Sequence, residues 1–409
     1  MRVLSVADAA QEITAAVTVQ PSLRMPLVDA AGHVLAEDVT ATVALPPWTN
    51  AGMDGYAVRA DDIRGATPAS PARLEIIGAI PAGTKPTASV GRGEAARIFT
   101  GAALPDGADS VVRQEDTERS GTAVLVHRDR DAGGNVRQAG SDLALGAPAF
   151  GAGTVLGGHQ LAVLAALGVA SPVVYRRPRV GVLTSGDELV PLDRPDEITS
   201  GRGLGDAISP ALAVLIQDAG AIAIPLGIAR DDPDDLERRV RAADDVDLLI
   251  TAGGVSVGDH DHVRLVMQRC GVRSLFDRVR MRPGGPATFG LFPDGRGWLA
   301  LPGNPVSAMV TFDLFGRPAI RAMAGHRVTQ RRTFRATIRD EIRRDPTLDQ
   351  YVRCTFKWSN DCAMPVATLT GAQGSGILMS LARAEGLAIV PAGAGVLSAG
   401  ADVVAMAFA

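Results

Sequence analysis

Residues 247–262 read DLLITAGGVSVGDHDH, and the change of texture inside this stretch decides how the rest of the chain is parsed. The apolar run Leu248, Leu249, Ile250 is what a strand buried on both faces of a parallel sheet looks like. It stops at Thr251, where paired Gly253 and Gly254 let the backbone turn tightly and bring its amides close to a ligand. Asp259 or Asp261 is placed to cap a following helix. Such a turn holds an anion in some proteins and merely joins two elements in others, and this one loop leaves both readings open.

On either side the same grammar repeats. RVGVLTSGDEL (179–189) is strand then turn, SPALAVLIQDAG (209–220) a helix ended by glycine, AIAIPLGIA (221–229) a strand, and DDPDDLERRVRAADD (231–245) a capped helix with proline near its start. A helix at 260–270, strand-like VRSLFDRVRM (272–281), strand GWLALPG (297–303) and helix NPVSAMVTFDLFGRPAIRAMAG (304–325) continue the alternation. This predicts a doubly wound parallel α/β sheet over residues 179–326. Ligands of such sheets bind beyond the carboxyl ends of the strands. The loops TSGDEL, TAGGVSVGD and LPGNPVS each follow a strand, so the three are expected to gather on one rim.

The flanks read differently. Residues 4–19 have helical spacing up to Pro21, and 151–169 return to helix; these two are expected to pack together as an elongated helical part, residues 1–46 and 146–178. Between them, residues 47–145 are short strands broken by Pro and Gly, an inserted small β domain. It carries three polar runs that a plain β domain does not require, NAGMDGYA (50–57), TGAALPDGADSVV (100–112) and GGNVRQAGSDL (133–143), although Gly and Asp are also ordinary turn residues. Residues 327–409, again short strands and turns, are expected to form a C-terminal β-barrel or sandwich.

Composition narrows the function. The 41 basic and 45 acidic residues leave a net charge of −4, no electrostatic footprint for nucleic acid or a membrane surface. Cys270, Cys354 and Cys362 lie far apart without a CxxC pair, which speaks against a disulfide framework or cysteine zinc site and for the reducing cytoplasm. The N-terminus lacks the apolar core of a signal peptide, and no run is long enough to span a bilayer. Lysine occurs only at Lys85 and Lys357, so arginine is expected wherever a site needs a cation. His260 and His262 flank Asp261 but point apart on a helix. Ser256 and Ser307 have no histidine and acid partners evident, and Met281, Met309, Met323, Trp48 and Trp298 read as packing residues.

PPWTNAGMDGYAV, TGAALPDGADSVV, TSGDEL, TAGGVSVGD, PGGPATFG, LPGNPVSAMVTF and QGSG occur in the order found in molybdopterin molybdenumtransferases, the MoeA family that includes the gephyrin and Cnx1 E domains. The chain resembles that family over nearly its whole length. The resemblance implies a Mg2+-dependent molybdenum insertase of cofactor biosynthesis, moving molybdenum from molybdate to adenylylated molybdopterin with release of AMP. It implies a homodimer in which the inserted domain of one subunit closes the α/β site of the other, an adenylyltransferase handing over substrate and molybdoenzymes as recipients. By matching position it implies catalytic roles for Asp54, Thr100, Asp142, Glu188 and Asp261, with Glu188 and Asp261 holding the metal. Substrate would be held by Gly253, Gly254, Ser256, Gly258, Pro302 and Asn304, and molybdate by Arg282, Arg353 and Ser375. Asp187 is read as a helix cap. Four departures stand out: Arg282 for a lysine, Gly285 where many members have a second lysine, Ala207 and Ile208 for a polar pair after Asp206, and Ala51 for serine. Two rival readings are a non-catalytic pterin carrier or scaffold and a molybdopterin adenylyltransferase.

Overall fold

The computed structural model describes residues 2–254, 262–359 and 363–408. Its central sheet has the order Ile222–Ala229, Arg179–Ser185, Leu248–Ala252, Gly297–Leu301, Thr288–Leu291, Arg273–Phe276. The first four strands are parallel, as the alternation predicts. The last two are antiparallel, which corrects the expectation of an all-parallel sheet. Only residues 292–296 separate Thr288–Leu291 from Gly297–Leu301. A parallel pairing needs a crossover of a dozen residues or more, so this link closes as a hairpin.

Side chains on each strand alternate between two cores. Leu248 and Ile250 pack with Leu212, Ile216 and Phe315 on one face, and Leu249 packs with Leu236, Val240 and Val266 on the other. Helices Ile208–Asp218, Pro305–Thr311 and Arg317–Met323 cover the first face; Pro233–Ala242 and His262–Arg269 cover the second. Each buried Leu or Ile contributes about 1.5–3 kcal/mol, so this two-sided burial holds the rim rigid. The stretch 304–325 is two α-helices joined by a π-helical turn, Phe312–Gly316. Pro318 has no N–H to donate, and the backbone ladder changes register just before it.

The first helix, Val6–Ala16, is capped by Ser5, whose Oγ accepts from the Asp8 amide at 3.1 Å. Its small face, Ala9, Ala10 and Ile13, is buried in the α/β core against residues 312–323. Strand Val3–Leu4 pairs in parallel with Arg278–Val279. The expected partner of this helix was the 151–169 segment. That segment is helical only over Gly158–Ala166, and its Leu164 packs instead with Ala30, Leu35, Leu156 and Val174. The intended helical pairing is replaced by short ladders, Ser22–Arg24 with Val173–Tyr175 and Val39–Thr40 with Pro148–Phe150.

The inserted segment forms a six-stranded sheet, from Ser110–Arg113 through Gly55–Val58, Glu94–Ile98, Ala72–Ile80 and Ala123–Val126 to Thr117–Ser120. Near the C-terminus, Asp349–Lys357, Val366–Leu369, Thr333–Ile338, Asp402–Ala407 and Gly386–Val390 close into a five-stranded barrel. Its longest strand also takes Met281–Arg282 as a parallel neighbour, with Arg282 opposite Gln350. That pairing brings the PGGP loop against the barrel. Among the described residues no helix is long and apolar enough to cross a membrane.

Candidate active site

Because their strands run parallel, the loops after Ser185, Ala252 and Leu301 emerge on the same edge. They enclose a cleft of about 530 Å3 whose walls include Glu188, Asp206, Asp231, Gly253, Gly254, Pro302 and Asn304. The glycine pair is demanded twice over. Gly253 and Gly254 have φ of +101° and +62°, and a Cβ would lie 2.5 Å from the Ser185 carbonyl oxygen and 2.6 Å from Val263 Cγ2. Gly303 also approaches, less tightly, its Cβ position 3.3 Å from Gly253 Cα. The floor is therefore bare backbone.

Acidic groups occupy the wall. A Cβ on Gly186 would be 2.6 Å from Glu188 Oε2, so the Glu188 carboxylate is folded over that glycine at the mouth. Asp206 is buried and accepts from Thr184 Oγ1 at 2.9 Å, Ser209 Oγ at 2.5 Å, and the Ile208 and Ser209 amides at 3.0 Å. It fixes the start of the following helix, and Ile208 beside it belongs to the core. Asp187 does not cap a helix: it accepts from the Asp231 amide at 3.2 Å while Asp231 accepts from the Asp187 amide at 3.4 Å. This reciprocal clasp sets Asp231 on the cleft wall, a position the sequence reading passed over. The signal was present in DDP directly after a strand, but Asp232, which caps the next helix by accepting from the Asp235 amide at 3.0 Å, accounts for the motif by itself.

A second residue was also passed over. Ser185 Oγ is buried, has no hydrogen-bond partner among the described residues and lies 3.0 Å from the Cβ position of Gly253. An unpaired buried hydroxyl costs about 1–3 kcal/mol, and a ligand oxygen over the glycine floor would satisfy it. Ser256, Gly258 and Asp261 lie outside the described residues. Among the described residues no group of three or more His, Cys, Asp or Glu forms a ready metal cage. Glu188 and Asp231 supply oxygen donors only, the type that magnesium takes together with phosphate and water.

The remaining predicted residues fall in three other places. Asp54 accepts from the Thr100 amide at 2.8 Å and Thr100 Oγ1 at 2.7 Å, and these bonds hold its carboxyl below the usual range despite slight burial. This pair lies on a solvent-facing surface beside Phe99 and Trp48, which is 46% exposed and so is not the packing residue expected. Trp298, Met281 and Met323 are buried as expected. Asp142 is in a separate hollow with Leu45, Asn50 and Arg137.

The third place is a cleft of about 480 Å3 on the barrel, lined by Arg282, Arg343, Arg344, Asp345 and Arg353. Arg353 is 1% exposed and donates to Ser380 Oγ at 3.0 Å and to the carbonyls of Gln373 at 3.1 Å and Gly374 at 3.0 Å. Its guanidinium thus shapes the QGSG turn that carries Ser375. Arg282 is exposed at the cleft mouth.

Family models match most of the chain in three successive segments. Residues 4–168 match the family model of the MoeA N-terminal region (domain I and II), 181–322 that of a probable molybdopterin binding domain, and 335–408 that of the MoeA C-terminal region (domain IV). The chain is similar to the molybdopterin molybdenumtransferase of Nostoc sp., at 36% identity over 92% of this chain and 86% of the relative. It is also similar to that of Staphylococcus aureus (strain MRSA252), at 30% identity over 98% and 94%. A crystal structure of the molybdopterin biosynthesis MoeA protein from Pyrococcus horikoshii OT3 superposes with a TM-score of 0.83 at 26% identity, covering 100% of both chains. From the seven ordered motifs, the cleft and these matches together, the chain belongs to the molybdopterin molybdenumtransferase family of molybdenum cofactor biosynthesis.

Proposed function

We propose that this protein is a molybdenum insertase that transfers molybdenum from molybdate to the dithiolene of adenylylated molybdopterin and releases AMP. The observation that carries this is the cleft wall. Glu188 and Asp231 stand beside a backbone floor of Gly253, Gly254 and Gly303, so carboxylates and bare main chain line one cavity, with the Gly253 amide already donating to the Leu301 carbonyl at 3.2 Å. Carboxylates repel a phosphoanhydride unless a divalent cation lies between them. Glu188 and Asp231, with Asp261 as the further candidate ligand, would hold a magnesium ion, which would supply that neutralising charge. The chain's own groups do the rest. The Gly254 amide and Ser185 Oγ would orient phosphate oxygens, and Asp206 keeps the adjoining helix start rigid.

In this reading the protein works as a homodimer. The Asp54–Thr100 pair, with its carboxylate kept ionised by two hydrogen bonds, faces solvent in one subunit and would complete the cleft of the other. The exposed aromatics beside it supply apolar area for such a contact.

The test is AMP release from adenylylated molybdopterin with magnesium, with and without molybdate, for wild type and Glu188→Gln. Molybdate-dependent release that collapses in the variant supports the insertase. Tight substrate binding without any release by wild type would refute it in favour of the carrier reading.

A further inference from the structure

The PGGP loop has no cation after Arg282, and Gly285 is poorly built to carry one. A Cβ there would lie 3.1 Å from the Met281 carbonyl oxygen and 3.3 Å from that of Val279, while its own carbonyl accepts from the Val279 amide at 2.9 Å. A longer residue needs the loop to shift by a few tenths of an ångström. Two of the four arginines that line the barrel cleft are already engaged. Arg353 is bound to the QGSG turn, and Arg344 donates to the carbonyls of Pro391 at 3.1 Å and Ala392 at 2.8 Å. Asp345, the acidic residue of this lining, has one carboxylate oxygen filled by the amides of Thr347 and Leu348 and by Thr347 Oγ1.

Arg282 and Arg343 are different. Both are exposed in the cleft, and neither guanidinium has a hydrogen bond or ion pair to a described residue. Gln350 holds them in register. It is the ladder partner of Arg282, its Nε2 donates to the Arg343 carbonyl at 3.3 Å, and its Oε1 accepts from the Asp345 amide at 2.8 Å. One side chain therefore ties the short strand that bears Arg343 to the strand position opposite Arg282.

We infer that Arg343, reaching in from the barrel side, pairs with Arg282 to bind the tetrahedral oxyanion substrate and supplies the positive charge that Gly285 does not. This assignment rests on the molybdate reading above. Two guanidiniums lining one cleft can each offer two parallel N–H donors to a dianion. Asp345, kept ionised by its backbone hydrogen bonds and by the nearby Arg282, is the single acid among the lining residues against four arginines, so the cleft is net cationic.

The direct test measures molybdate binding to the intact protein by equilibrium dialysis, without pterin. Loss of one charge-assisted clamp lowers affinity by about 10- to 100-fold in Arg343→Gln. Arg343→Lys, which keeps the charge, is expected to recover part of it. Arg335→Gln, on the exposed face of the barrel where it pairs with Asp402, leaves binding unchanged. Arg343→Gln that binds as wild type does, with the same unfolding temperature, overturns the assignment and leaves the insertase reading intact. Wild type that binds no molybdate overturns both.

Discussion

Gly253→Ala separates two demands that converge on one backbone position. The first is conformational: φ of +101° is outside the wells open to an alanine and costs about 1–3 kcal/mol. The second is spatial. The new Cβ falls 2.5 Å from the Ser185 carbonyl oxygen, a backbone atom that no rotamer change can move. Relieving it means parting two neighbouring strand ends, which adds about 1–3 kcal/mol of overpacking. The expected total is about 2–6 kcal/mol. Gly201→Ala is the matched control, since Gly201 has φ of +74° and nothing within 4 Å of a Cβ, leaving about 1–2 kcal/mol. The assay is urea unfolding followed by the emission of Trp298, which is 2% exposed and donates to Thr251 Oγ1 at 3.0 Å, two residues before Gly253. Trp48 and Trp358 are 46% and 67% exposed, so they contribute the smaller changes. Equal losses in the two variants would refute the argument that the strand ends abut at the glycine floor.

Ser185→Ala removes a hydroxyl without a protein partner, so unfolding of the free protein shifts by less than about 1 kcal/mol, whereas calorimetric affinity for adenylylated molybdopterin falls about 10-fold or more. Unchanged affinity would show that the hydroxyl does not meet the ligand. In the inserted sheet, burial raises the Asp131 carboxyl, but hydrogen bonds from the Arg113 side chain and amide outweigh it and bring the group down to about 2. A depressed carboxyl stabilises above its unfolded value and loses that contribution as pH falls through the folded one. From pH 5 to pH 2 Asp131 should therefore contribute a loss on the order of 2 kcal/mol to wild-type stability, so Asp131→Asn should be less stable at pH 7 but flatter than wild type across that window by about that amount.

The sequence carries the parallel core openly, because residues 248–250 and the loops at 184–189 and 301–307 obey one repeating pattern of apolar strand, small turn and helix. What it conceals has a common cause in long-range contact. The helix Val6–Ala16 has an alanine-rich face that fits several partners, and its actual one lies some three hundred residues away. The edge strands are set by a five-residue link rather than by their own composition. At the site, Glu188, Gly253, Gly254, Pro302 and Asn304 come together as their positions imply. Asp231 was masked by a neighbour with an ordinary capping role, and Ser185 became visible only when its lack of a partner did. The arginine count along the barrel says nothing about which guanidiniums the backbone has already claimed: Arg353 is buried and bound to the turn, and Arg343 is exposed without such bonds to described residues.

The pairing of Val3 with Arg278 bears on how the chain is made. A ribosome adds about 5–20 residues per second, so this first strand waits roughly 15 to 55 seconds for its neighbour to be synthesised. During that interval the inserted sheet, whose strands all lie between residues 55 and 126, has everything it needs to fold. The leading helix does not, and its alanine face stays open to chaperones or to another nascent chain. The beginning of this polypeptide is thus among the last parts to be locked, and residues added before Arg2 would be felt there first.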